Sequence, residues 1–230
     1  MSAESAEAQA YDPEARGLRL VVVLLVLTVI SGLIDAVSFL GLERVFTANM
    51  TGNVVVLGFA AAGAPGFSVL HTLTSLGAFV VGASAGGRVA RRLGAASRRA
   101  WVRAALGAEA VLVGAASAVA FAAPGTTGTA YALITLTALA MGLRNATVRK
   151  LGVPDLTTTV VTMTLTGLAA DSPLGGGTGM RSLRRAAAVV AMLAGALPGA
   201  WLVLHHGLGI PLLIAALLAT ALAVTASGRE

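Results

Sequence analysis

Asp35, Thr47, Asn49, Thr51 and Asn53 set a carboxylate, two hydroxyls and two amides close together in a stretch that is otherwise apolar. Groups of these types can stand in for the hydration shell of a small polar solute or ion. A carboxylate at such depth costs about 2.5–3.5 kcal/mol on insertion scales, so it faces a cavity or a partner, and it can couple to a proton or a cation. A second set follows at Asn145, Thr157, Thr158 and Thr159. Gly32, Ala36 and Thr47 correspond to Gly142, Ala146 and Thr157 at one offset of 110 residues, and Asp35 corresponds to Asn145. One shared offset argues for two related halves. Asn145 can hydrogen-bond without charge, so the site they build would be asymmetric. Each group also has a plainer use: Ser, Thr and Asn bond helix backbones and neighbouring helices in membranes, and Asp35 could pair with Arg44 or cap a helix end.

The elements that must hold these residues are set by composition. Hydrophobic residues make up 57% of the 230 and charged residues 11%, with a mean hydropathy of +0.86, which describes a polytopic membrane protein and not a soluble domain. Glu4, Glu7, Asp12 and Glu14 come before the first Arg, so the first apolar run is expected to be a retained helix and not a signal peptide. Cysteine is absent, which excludes disulfides and thiol chemistry. A pI near 11.2 is explained by arginine-rich cytoplasmic loops, not by nucleic acid.

Six stretches have the ~20 apolar residues that a spanning helix needs: 18–40, 68–87, 104–123, 127–146, 186–204 and 208–226. Two others, 47–63 and 156–170, are shorter and rich in Thr and Asn, and each follows the first helix of its half. If both cross, ten basic residues lie inside and six outside; if both re-enter, fifteen lie inside and only Arg44 outside. The positive-inside rule favours re-entry. Three crossings per half make the second copy inverted, with both termini cytoplasmic and the two short segments meeting near the midplane. Gly82 with Gly86 and Gly195 with Gly199 supply small-xxx-small pairs for close packing of helices, within one chain as readily as between chains. The oligomeric state is left open.

Several catalytic look-alikes fail on context. Gly82 to Gly86 satisfies G-x-S-x-G, but in the middle of an apolar helix and not on a strand-turn-helix elbow. His205 and His206 are expected in a short loop and, being adjacent, do not form a metal pair. Glu109 is expected to reach the interface or an Arg, Asp155 to cap the second short helix, and Trp101, Trp201 and Tyr131 to anchor span ends. No cofactor, metal or catalytic residue is expected, and the chain reads as a non-enzyme. The arginine clusters could meet anionic lipid headgroups, although topology alone accounts for them.

The strings Asp35-Ala36-Val37-Ser38-Phe39-Leu40, Val45-Phe46-Thr47-Ala48-Asn49-Met50-Thr51-Gly52-Asn53, Met141-Gly142-Leu143-Arg144-Asn145-Ala146 and Val153-Pro154-Asp155-Leu156-Thr157-Thr158-Thr159 resemble the YoaK-like family of bacterial integral membrane proteins, a domain of unknown function. The resemblance runs over residues 18–226 and implies a bacterial inner-membrane protein, with no substrate or catalytic residue assigned. The expected architecture is therefore all-α: a polar cytoplasmic tail at 1–17, one transmembrane domain at 18–226 made of inverted three-span repeats (18–123 and 127–226), each with a re-entrant or broken helix, and a short tail at 227–230. The expected function is transport or channel conduction of a small polar solute or ion across the inner membrane, with the bilayer as the main partner. The alternative is a scaffold that binds lipid or a partner protein without transport.

Overall fold

The computed structural model describes residues 13–94, 97–152, 161–172, 175–177 and 182–225, and among them all regular structure is helical. The helices are α1 (Pro13–Gly41), α2 (Met50–Ala61), α3 (Val69–Leu93), α4 (Arg98–Ala122), α5 (Thr127–Leu151), α6 (Val161–Ala170), α7 (Ser182–His206) and α8 (Gly209–Thr225). Their starts are written locally. Asn49, Ser68, Ser97 and Thr126 each accept a hydrogen bond from a backbone N–H in the first turn of α2, α3, α4 and α5, which satisfies donors that a helix leaves unpaired.

Among the described residues, four helices are long and apolar enough to cross a bilayer: Leu20–Gly41 within α1, then α3, α4 and α7. The remaining two expected spans differ in degree. α5 has the same 25 residues as α3 and α4 but carries Arg144, Arg149 and Lys150, while α8 is strongly apolar but has 17 residues. α2, with 12 residues, is about 18 Å long at 1.5 Å per residue, well short of a hydrocarbon core of about 30 Å. The outer surface is apolar, as on the face of α7 where Leu183, Val190, Leu193, Leu197 and Leu204 all stand exposed, Leu183 at 84%. A soluble protein would bury such a stripe.

Two glycine contacts organise the bundle. A Cβ on Gly32 would collide with the backbone of Met192 and Ala196, and one on Gly195 with that of Val29, so α1 and α7 touch backbone to backbone. The same happens between α5 and α3, where Gly142 meets Phe79 and Ala83, and Gly82 meets Leu139. Gly199 packs on Leu33 and Ala36, and Gly86 on Leu143 and Ala146. Every member of one contact maps to the other, by 110 residues between α1 and α5 and by 113 between α3 and α7. Without side chains in the way, dispersion contacts accumulate along the backbones, which is what drives association in lipid.

Directions follow from the same contacts. Along α1 and α7, Val29 lies against Gly195 and Leu33 against Gly199, so the numbering rises together and the helices run parallel. α3 and α5 are parallel for the same reason, Gly82 lying on Leu139 and Gly86 on Leu143. α4 and α8 run antiparallel: the Ser117 hydroxyl donates to the Gly209 carbonyl at 2.9 Å, whereas Ala100 and Ala104 sit beside Ala223 and Val224. Ile30, Ile34, Leu133, Ile134, Met141, Val113 and Leu212 fill the centre.

Candidate functional site

After α1 the chain turns through Glu43 and Arg44, both at φ 57°, a left-handed conformation uncommon outside glycine and Asn. This turn brings the segment before α2 back onto α1. The Asp35 carboxylate accepts the Ala48 N–H at 3.1 Å and interacts with the N–H groups of Thr47 and Asn49. Asn53, fully buried one turn into α2, accepts the Phe46 N–H at 2.9 Å and donates to the Phe46 carbonyl at 2.6 Å and to Ser75 on α3 at 3.1 Å. Ser75 donates to the same Phe46 carbonyl at 2.7 Å. Asn49 caps α2 through the Gly52 N–H. Asp35, Thr47, Asn49 and Asn53 are thus brought together around one loop. The Thr47 hydroxyl is buried there without a hydrogen-bond partner, and Thr51 faces outward.

Arg44 does not pair with Asp35; its guanidinium lies over the Phe67 ring at 5.4 Å. The cation that acts on Asp35 is Arg144. Arg144 lies near the end of the expected span 127–146 and was counted with Arg149 and Lys150 among the cytoplasmic charges. Instead α5 continues to Leu151, and Arg144 is 1% exposed inside the bundle. It grips both carboxylate oxygens of Glu109 on α4, through Nε at 2.9 Å and through Nη2, and donates from Nη1 to the Leu27 carbonyl at 2.9 Å and the Ser31 hydroxyl at 2.8 Å on α1. Glu109 is fully buried. α1, α4 and α5 are therefore tied at one point by a two-pronged ion pair in which four of the five guanidinium N–H groups are bonded, close to the condition under which a buried pair is tolerated.

Asn145 sits next to Arg144, and its amide donates to the Met141 carbonyl of its own helix at 2.8 Å. Thr157, Thr158 and Thr159 lie outside the described residues, as does Asp155. Beyond them, Arg185 of α7 donates to the Gly167 carbonyl at 2.5 Å and to Asp171 at 2.6 Å, binding α6 to α7 as Asn53 and Ser75 bind α2 to α3. Two other expectations are refined. Trp101, in the first turn of α4, is buried against protein, and His205 and His206 close α7 as helical residues, with His205 stacked on Trp201 at 4.9 Å. Arg144 was the residue sequence reasoning missed. The repeat offset held a signal for it: residue 34, its counterpart, is an Ile inside an apolar run, a position with no access to a loop.

A helical chain with these long apolar spans and an apolar exterior is in class a multi-pass transmembrane protein. Residues 23–225 match the family described as protein of unknown function (DUF1275), and the chain belongs to that family. It is 33% identical over 144 residues to the UPF0700 transmembrane protein YoaK of Bacillus subtilis (strain 168), an alignment covering 61% of this chain and 62% of that relative. The chain thus spans about three fifths of that relative's length. No solved structure matches it.

Proposed function

We propose that the protein is a bacterial inner-membrane transporter or channel for a small polar solute or ion, built from two inverted repeats whose short helices re-enter the membrane. The observation that carries this reading is a constellation of Asp35, Glu109 and Arg144 where α1, α4 and α5 meet, in the interior of an apolar bundle. Ionisable groups at that depth mark pathways and relays far more often than they serve packing.

Helix directions support the inverted arrangement. If all eight helices crossed the membrane, directions would alternate and α4 would run parallel to α8. They are antiparallel, so one element between them does not cross, and α6 is the short one. α1 and α7 are nevertheless parallel, which then requires a second non-crossing element, and α2 is too short to cross. Six crossings remain, three per half, with the second half upside down. The basic residues of α3, α4 and α5 fall at the cytoplasmic end in this arrangement, and both termini are cytoplasmic. Asp35 is the group we assign to ion coupling, with Thr47, Asn49, Thr51, Asn53, Asn145, Thr157, Thr158 and Thr159 as lining or supporting residues. We read the chain as a non-enzyme.

One observation favours the rival scaffold reading: Asn49 and Asn53 spend their hydrogen bonds within the loop. Flux in proteoliposomes across a panel of ions, weak acids and metabolites separates the two. Transport lost in Asp35→Asn while the protein stays monodisperse supports the pathway. A panel with no flux in the wild type leaves the scaffold. Topology is checked separately, in a chain with no native cysteine. Ser182→Cys and Leu93→Cys should be shielded from an impermeant maleimide in intact cells, and Thr127→Cys should be labelled. Labelling at position 182 means that the second short segment spans.

A further inference from the structure

Where α4 begins and α8 ends, a groove of about 480 Å³ opens between them, lined by Ala100, Arg103 and Ala104 on one side and Ala223 and Val224 on the other. We propose that this groove holds the phosphate headgroup of an anionic phospholipid, with the glycerol and first methylenes against its Ala and Val wall. The proposal does not depend on the transport reading.

Charge is the first argument. α4 opens with Arg98 and Arg99, and Arg103 follows one turn later, with no acidic residue in the first turn. A helix N-terminus carries a partial positive charge and favours anions, so arginines there add to an unfavourable field that nothing in the helix offsets. Arg88, Arg91 and Arg92 end α3 at the same side of the chain turn, and Arg149 and Lys150 end α5, whose last carbonyl, Leu151, accepts from Arg98 at 3.4 Å. No carboxylate occurs from residue 44 to 108 or from 110 to 154, and Glu109 is committed to Arg144 about three turns deeper. α8 contributes no acidic side chain at all. These helices therefore place no carboxylate beside Arg103, the guanidinium that lines the groove.

Shape and partners narrow the source. Arg103 is exposed and makes no hydrogen bond or ion pair among the described residues, and it lines the groove itself. The other lining residues are Ala and Val, which offer nothing to a soluble anion but suit the upper part of an acyl chain. A guanidinium set beside a small apolar cleft at the end of spanning helices therefore matches an amphiphile in the leaflet, where phosphate and methylenes arrive together. A nucleotide or inorganic phosphate would use the guanidinium and leave the apolar wall bare.

Native mass spectrometry of the detergent-purified protein, titrated with dioleoyl phosphatidylglycerol or dioleoyl phosphatidylcholine, tests this. The wild type should retain one phosphatidylglycerol in preference to phosphatidylcholine. Arg103→Gln should weaken that retention about fivefold, the effect of one basic residue at an anionic surface, while Arg88→Gln on α3 should change it little. Val224→Trp, which fills the groove without altering charge, should weaken it as well, and the same spectra report whether each variant is intact. Equal losses in Arg103→Gln and Arg88→Gln would overturn the proposal in favour of a diffuse field. Displacement of the lipid by millimolar inorganic phosphate would overturn it in favour of a free-anion site.

Discussion

Removing the Glu109 carboxylate should damage the protein more than removing Arg144, and removing both should damage it least. Arg144 is 1% exposed and its guanidinium has four partners: the two Glu109 oxygens, the Leu27 carbonyl and the Ser31 hydroxyl. Glu109→Gln leaves a full positive charge in the bundle with only neutral acceptors, and a guanidinium has no accessible neutral form, whereas a carboxyl can take up a proton. Breaking a buried pair from one side costs about 3–5 kcal/mol. At about 2–4 °C per kcal/mol for a domain of this size, Glu109→Gln should lower the unfolding midpoint by roughly 6–20 °C. Arg144→Met should cost less. The double variant Glu109→Leu with Arg144→Met should return to within a few degrees of wild type, since apolar replacement of a whole buried pair is often neutral or stabilising. Intrinsic fluorescence in mild detergent reads the transition, because Trp101 is buried three helical turns or fewer from Glu109 on the same helix. If the two single losses simply add in the double variant, or Glu109→Gln shifts the midpoint by less than about 2 °C, the pair does not tie the three helices and the argument from burial fails.

The glycine contacts make a paired prediction: Gly32→Leu and Gly142→Leu should both abolish stable accumulation in the membrane, whereas Gly58→Leu, at a position where an added Cβ meets nothing within 4 Å, should accumulate normally. Tolerance of either contact variant would show that the backbones are not in register there. Asn53→Ala removes the bonds to both polar groups of Phe46 and to Ser75, and should cost about 1–3 kcal/mol in thermal stability, the range for leaving buried partners unsatisfied. Thr51→Ala, at an exposed position, should stay within about 0.5 kcal/mol. A flux assay on Thr47→Val then separates binding from structure: the Thr47 hydroxyl has no partner to lose, so reduced transport without reduced stability would assign it to the pathway.

What could be read beforehand depended on whether a property is periodic or positional. Helix count and apolar spans follow from composition over windows of about 20 residues, so 68–87 and 104–123 reappear in α3 and α4 apart from the cap residues Ser68 and Ala123. The small-xxx-small pairs were legible because a missing Cβ means the same thing in any helix contact. Their partners were not, since nothing in Gly82 or Gly195 says which helix lies opposite. The ends of helices were the weak point. The expected span stopped at residue 146, but the helix runs on to Leu151, since a helix can carry basic residues in its last turn, where they suit its dipole. Counting Arg144 among the cytoplasmic charges hid it as the Arg that Glu109 reaches, one of the two outcomes expected for that carboxylate. Asn53 was legible as a polar residue at depth. Its use in holding Phe46 against Ser75 was not, because that bond joins positions 22 apart across a turn.

The duplication and the charges obey different rules, and the difference bears on mechanism. Backbone contacts repeat: α1 on α7 and α5 on α3 are built from glycines at matched positions. The charged groups do not. At the 110-residue offset between α1 and α5, Asp35 corresponds to Asn145 and Arg144 to Ile34, and α8 holds no charged residue to correspond to Glu109 of α4. A symmetric scaffold can be occupied in two mirrored conformations of equal energy, which alternating access exploits. Placing an ion pair and a further carboxylate at positions whose repeat counterparts are uncharged makes those conformations unequal, because the buried charges keep their partners in one and must find new ones in the other. The link from Arg144 to Leu27 and Ser31 crosses from the α3 and α5 pair to the α1 and α7 pair. Relative motion of the two glycine-locked pairs would have to break or re-form it. Under the proposed arrangement the asymmetric charges therefore set the resting state, while the symmetric glycines make the two halves stiff enough to move as bodies.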